Sequence, residues 1–283
     1  MSAWIVAGRA IAPAALLILS GCQTTARDAP LHAVPHPARF LLTFDDGPSL
    51  QQPFNPTASI LDQLADNAVQ PQIKAVFFVQ TRSLIHGGAP RGQDLLRRIR
   101  DDGHVIALHS GSARGHKNHR WMAQSELEKA LVDGKADIHA LTGRDPTLLR
   151  PPFWSYSART EAIYRNHGLS MLLTDLSARD GKIYGWHISL RRRIHFRANL
   201  GDVLRSIEAD RVPVVDGVIP LIVTFHDTND YTAHHMEEYL RILVEESRRV
   251  GLPLASKPFY DDAQEIDRAA RLRADIGVYA AKR

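Results

Sequence analysis

The chain has 283 residues, a single cysteine and a formal charge of +4, with 44% apolar and 23% charged residues. That balance excludes a disordered or collagenous chain and an internal disulfide scaffold, and no nucleic-acid-binding motif accompanies the mild basic excess. Once the amino-terminal targeting region is set aside, about 240 residues remain, enough for one large core or barrel.

Residues 1–21 read as a signal peptide. Arg9 supplies the charged start, and Ile11 to Leu19 form an apolar run far short of the roughly twenty residues that a bilayer span needs. Leu19-Ser20-Gly21-Cys22 then resembles a bacterial lipobox, which implies a lipid on Cys22 as the first mature residue. Gln23 after it resembles lipoproteins of the outer membrane, so the expected location is the outer membrane, facing the periplasm. Residues 22–38 read as a flexible tether and 39–283 as the folded domain.

In chain order, a buried strand over 39–44 runs into Thr43-Phe44-Asp45-Asp46-Gly47-Pro48, where Gly-Pro forces a turn after two adjacent carboxylates. Such carboxylates in an apolar setting need a metal, an arginine or hydrogen bonds. A helix over 57–68, a strand over 73–79 and a helix over 93–102 follow. The strand 104–109 ends at His109-Ser110, with His116 and His119 close behind. Ser125 to Glu128 reads as a capping box opening a helix over 125–141. Arg150-Pro151-Pro152-Phe153-Trp154 is a rigid segment, with a cation at its head and aromatics behind. Trp154 and Tyr156 are candidates for stacking on a sugar ring or for packing.

A helix over 158–167 and a strand over 169–174 lead towards Asp180. The stretch 181–217 is hard to interpret apart from a helix over 200–209, and its run Arg191-Arg192-Arg193 with Arg197 reads as solvated, or as a contact for an anionic glycan or lipid headgroup. The strand 218–225 delivers His226-Asp227, and a helix over 233–250 begins at surface residues His234-His235. Strand–helix alternation predicts a parallel sheet or barrel. Polar residues just past several strand ends match how α/β barrels build sites.

These pieces resemble the polysaccharide deacetylases (carbohydrate esterase family four, which shares its domain with nodulation-type chitooligosaccharide deacetylases). The matching residues are Thr43 to Pro48, His109-Ser110, Arg150 to Phe153, Asp180, and Val223 to Asp227. The resemblance implies a distorted (β/α) barrel of about seven strands, one divalent metal (Zn²⁺ as a rule), and hydrolysis of acetyl groups, mostly N-acetyl, on a polysaccharide. It implies Asp46 and His109 as metal ligands, Asp45 as general base, Arg150 as its partner, His226 as general acid and Asp180 as its orienting group. It also implies that the Phe153 backbone N–H stabilises the oxyanion. An Asp and two His would suit zinc, leaving room for water.

The family's second histidine ligand stands four residues after the first, and here that position is Ala113. His119 is preferred over His116 by its distance from the following helix. An inactive glycan- or partner-binding lipoprotein of the same fold is the alternative function. A two-carboxylate glycosidase is disfavoured, because adjacent Asp45 and Asp46 cannot flank a glycosidic bond about 5 Å or more apart.

Overall fold

The structure, a computed structural model, describes residues 36–180 and 192–280. The proposed signal peptide, most of the tether and Cys22 therefore lie outside the described residues. The strands are β1 (Ala38–Asp45), β2 (Ala75–Gln80), β3 (Val105–Ser110), β4 (Leu148–Leu149), β5 (Ser170–Met171), β6 (Leu176–Ser177), β7 (Ile219–His226) and β8 (Leu254–Phe259). The helices are α1 (Pro56–Ala65), α2 (Pro90–Asp101), α3 (Gln124–Thr142), α4 (Ala158–Asn166), α5 (Arg192–Glu208), α6 (Asp230–His234), α7 (Met236–Arg249) and α8 (Ala263–Ile276).

Seven strands run β5-β4-β3-β2-β1-β7-β6, all parallel, as a curled half-barrel, with β8 beside β1 off that path. The expected α/β barrel of about seven strands is thus present. Register fixes what shares a level: Thr43 lies opposite Thr224, and Asp45 opposite His226. Parallel strands expose all their C-terminal ends on one rim, so β1, β3 and β7 deliver Asp45, His109 and His226 to the same side.

Alternation along the strands separates two cores. Phe40, Leu42 and Phe44 of β1 pack in one cluster with Phe77, Val79, Leu221, Val223 and Phe225 and with helices α1, α5 and α7. Leu41 joins Val76, Phe78, Ala107 and Ile222 in the other, closed by Ile266, Ala269, Ala270 and Ala274 of α8. The polar site residues belong to this second parity. The inner face therefore reads upward from the α8 plug, through an apolar layer, to Thr43 and Thr224, and then to Asp45, His109 and His226.

Several local expectations need correction. The tether does not extend to residue 38: Ala38 is fully buried in β1, and its N–H donates to the Pro253 carbonyl at 2.8 Å. Helix α3 starts at Gln124 behind Ala123 with no side-chain cap, so Ser125 to Glu128 do not form the expected capping box. Of the basic run expected to be solvated, Arg191 lies outside the described residues, while Arg192, Arg193 and Arg197 are not free cations. They lie on α5 and pair with Glu238, Glu245 and Glu246 of α7. The sequence pattern does not predict helix α8, the two-residue strands β4 and β6, or strand β8.

The carboxyl-terminal segment ties together the two ends of the half-barrel. Arg273, fully buried, donates to both Asp175 oxygens at 2.9 and 3.0 Å, and Asp175 also accepts from the N–H groups of Ile222 and Ala280. Tyr279 Oη–H reaches the Met171 carbonyl of β5 at 2.8 Å. Removing one partner of a buried pair strands the other charge. Arg273→Ala should lower unfolding free energy in denaturant titrations by about 3–5 kcal/mol; a loss below about 1 kcal/mol would show that the pair does not hold this end of the fold.

Candidate metal and acid–base site

The site begins where β1 stops. Asp45 is the last strand residue, while Asp46 turns to a left-handed φ of 76°. That reversal sends the two neighbouring carboxylates to different partners. A side chain on the following residue would collide here: a Cβ at Gly47 would stand 2.0 Å from Asp227 Oδ2.

Asp45 is buried and accepts from Arg150 Nη1 at 2.8 Å. Every part of the Arg150 guanidinium is used. Nη1 also donates to Thr43 Oγ1, Nε to the Leu172 carbonyl, and Nη2 to the Leu173 carbonyl. The guanidinium carbon lies 4.2 Å from the Phe78 ring centre and 5.0 Å from that of Trp154. Burial pushes the Arg150 pKa down, and Asp45 opposes that shift. The fork is rigid and the carboxylate beneath it is held in one place.

Asp46 Oδ1 lies 3.0 Å from His109 Nε2 and 3.1 Å from His116 Nε2, and the two imidazole nitrogens are 3.0 Å apart. Ligands about 2.0–2.1 Å from a tetrahedral zinc are separated by about 3.3 Å, so this triangle has nearly the size of one face of such a shell. His109 Nδ1 faces the Arg150 carbonyl at 2.8 Å, and because a carbonyl only accepts, Nδ1 carries a proton and Nε2 is the nitrogen turned towards Asp46, where an ion would be held. Burial alone pushes the Asp46 carboxyl up, but the hydrogen bond and charge of His109, helped by His226, hold it well below the usual carboxylate range. Burial lowers His116 to about 4, so its imidazole is neutral at pH 7. The donor set suits one divalent cation.

The preference for His119 is therefore corrected in favour of His116. His119 heads a short 3-10 turn (His119–Trp121) capped by Asn118, is 1% exposed, and turns inward to the Tyr164 hydroxyl at 2.9 Å. Burial lowers its pKa to about 3, so it serves as a neutral packing group. Distance from the next helix misled here, because the intervening turn takes up chain length without approaching the site. Ala113 lines a different cavity with Arg82 and Asp137.

Opposite the triangle, His226 Nδ1 meets Asp180 Oδ1 at 2.8 Å, while Asp180 Oδ2 accepts from the His226 N–H and from Thr232 Oγ1. Burial disfavours the imidazolium, but the charge and hydrogen bond of Asp180, with Asp46 and Asp45, raise His226 to about 10. It is thus a proton donor held ready at neutral pH.

Phe153 and Trp154 follow Arg150 through Pro151 and Pro152. Both stand at left-handed φ, 58° and 55°, uncommon for two successive aromatic residues. Phe153 is largely exposed, with its ring 4.2 Å from that of His116, so it forms a wall of the triangle.

Sequence reasoning missed two supports. Asp227, pushed up to about 7 by burial, accepts from Thr57 Oγ1 and packs under Gly47. Gln80 closes β2 beside the Asp46 turn. The only signals for them were a polar residue at the end of an apolar strand and a second acid after His226.

Residues 33–172 match the family model for polysaccharide deacetylase. The chain is 34% identical over 116 residues to a peptidoglycan-N-acetylglucosamine deacetylase of Bacillus cereus, covering 41% of this chain and 36% of that protein. The match to the corresponding Listeria monocytogenes enzyme, 26% over 190 residues, likewise spans only 33% of that protein. The chain thus spans about a third of the length of these curated relatives. The chitin deacetylase structure from Colletotrichum lindemuthianum superposes with a TM-score of 0.57 at 21% identity, covering 78% of this chain and 85% of that one. That superposition supports the fold.

His116→Ala should abolish tight zinc binding in a chelator-competition titration, whereas His119→Ala should retain it and lose thermal stability. The reverse pattern would reinstate His119 as the ligand.

Proposed function

The chain belongs to the polysaccharide deacetylase family, and from that premise we propose that it is a metal-dependent hydrolase that removes acetyl groups, chiefly N-acetyl, from a cell-envelope or extracellular polysaccharide. The observation that carries this reading is the convergence of Asp46, His109 and His116 beside a buried Asp45–Arg150 pair and a His226–Asp180 pair. The curated relatives act, by their names, on peptidoglycan and chitin, which supports an N-acetylated glycan as substrate here.

Asp46, His109 and His116 would hold the ion. When bound, a zinc-like ion polarises the acetyl carbonyl and brings the pKa of water from about 15.7 to near 7. Asp45, locked by Arg150, takes the proton of the water that adds to that carbonyl. The Phe153 N–H, aimed by the two prolines, donates to the oxygen on which charge develops. His226 gives its proton to the departing amine nitrogen as the C–N bond breaks, leaving acetate and a free amino sugar. Asp180 keeps that imidazole oriented and charged. Trp154, stacked against Arg150, offers its remaining face to a sugar ring.

Purified protein lacking residues 1–21 should release acetate from N-acetylglucosamine oligomers or peptidoglycan fragments and stop when a chelator is added. Asp45→Asn should keep the metal and lose about 10²–10⁴-fold in kcat. Survival of activity in that variant would refute the base assignment. Asp180 raises the His226 pKa, so Asp180→Asn must lower it; the alkaline limb of the kcat/KM profile should move to lower pH by about one unit or more. An unmoved limb would exclude His226 as the acid.

Cys22 would carry a lipid that anchors the enzyme to the outer membrane, facing the periplasm. Among the described residues no helix is long and apolar enough to cross a membrane. Radiolabelled palmitate should label the full chain expressed in a bacterium with an outer membrane, and Cys22→Ser should abolish the label. Equal labelling of both would refute the anchor.

A further inference from the structure

The Asp46 turn carries a left-handed aspartate, and its three backbone carbonyls are each engaged by a residue at the end of β2 or just past the end of β7. The Asp45 carbonyl accepts from the Asp227 N–H at 3.3 Å, and the Gly47 carbonyl accepts from the Gln80 N–H at 2.9 Å. The Asp46 carbonyl accepts from Gln80 Nε2 at 2.7 Å. The first two bonds are backbone to backbone and need no particular side chain. The third comes from a side chain, and it falls on the residue whose carboxylate faces His109 and His116.

Gln80 is an unusual choice for this place. It ends the strand Ala75–Gln80, every residue of which is buried, and it is itself 2% exposed. Its Oε1 has no hydrogen-bond partner among the described residues, although it lies in the interior beside Gly115. An amide buried with its acceptor unmet is unfavourable compared with an apolar side chain of the same size. Only the donor half is employed, and it holds the Asp46 carbonyl.

We propose that Gln80 is a positioning residue for the candidate metal centre: its amide N–H fixes the Asp46 backbone in the left-handed region and so aims the Asp46 carboxylate at His109 and His116. The carbonyl and the carboxylate of Asp46 hang on the same Cα, so rotation about φ moves both. Holding one restricts the other. Outer partners of this kind set metal affinity through the geometry of the ligand that they restrain. The inference rests on the metal-dependent reading given above.

The test is a Zn²⁺ titration against a chromophoric chelator, run beside thermal melting of metal-free protein, for the parent, Gln80→Met and Gln80→Glu. Methionine keeps the length and bulk but has no donor; glutamate keeps the shape but turns a carboxylate oxygen on the Asp46 carbonyl. Both variants should bind Zn²⁺ about 10–100-fold more weakly. The metal-free melting temperature of Gln80→Met should stay within about 4 °C of the parent, because the unmet acceptor leaves together with the donor. Zn²⁺ affinity unchanged in a folded variant would overturn the inference, as would failure of both variants to fold, which would assign Gln80 to the scaffold. A parent that binds no Zn²⁺ would instead sink the metal-dependent reading itself.

Discussion

Two carboxylates adjacent in sequence do separate jobs because the chain reverses between them. Asp45 still belongs to β1 and points along the inner face to Arg150, whereas Asp46 has φ 76° and faces two imidazoles. Had the strand continued, alternation would have sent Asp46 into the Phe44 and Phe225 layer. An unpaired carboxylate there would be very costly. The left-handed backbone is therefore the constraint on which the centre depends, and Gly47, Asp227 and Gln80 are arranged around it.

The electrostatics follow from this split. Arg150 is entirely buried, and such a cation is tolerated only because all of its nitrogen atoms have acceptors and two rings lie near its planar group. The same arginine offers its backbone carbonyl to His109 Nδ1, so one residue braces both the candidate base and a candidate ligand. Across the site, Asp180 maintains the charge of His226. Acid and base thus sit on neighbouring strands at one level, Asp45 opposite His226, with opposite protonation needs met by separate partners.

Much of this was legible in the sequence because the decisive signals were local. Apolar runs ending in Asp45-Asp46, His109 and His226 announced strands that are buried on both faces and terminate at a site, and Arg150 before two prolines announced a rigid cation. What could not be read depended on contacts between distant segments. Strands β4 and β6 are two residues each, shorter than any periodicity can reveal. Helix α8 has an ordinary amphipathic pattern, and nothing local says that it plugs the half-barrel through the Arg273–Asp175 pair. The choice between His116 and His119 turned on a 3-10 turn that buries His119 against Tyr164, a residue 45 positions away. The arginines of α5 look like a free basic run until α7 supplies their glutamates.

The most direct test of the central claim is an anomalous-difference map from crystals grown with Zn²⁺, collected on either side of the zinc absorption edge. The account requires a single strong peak within about 2.0–2.2 Å of Asp46 Oδ1, His109 Nε2 and His116 Nε2, with Asp45 still bonded to Arg150. A peak coordinated by His119, or by Asp45 in place of Asp46, would contradict it.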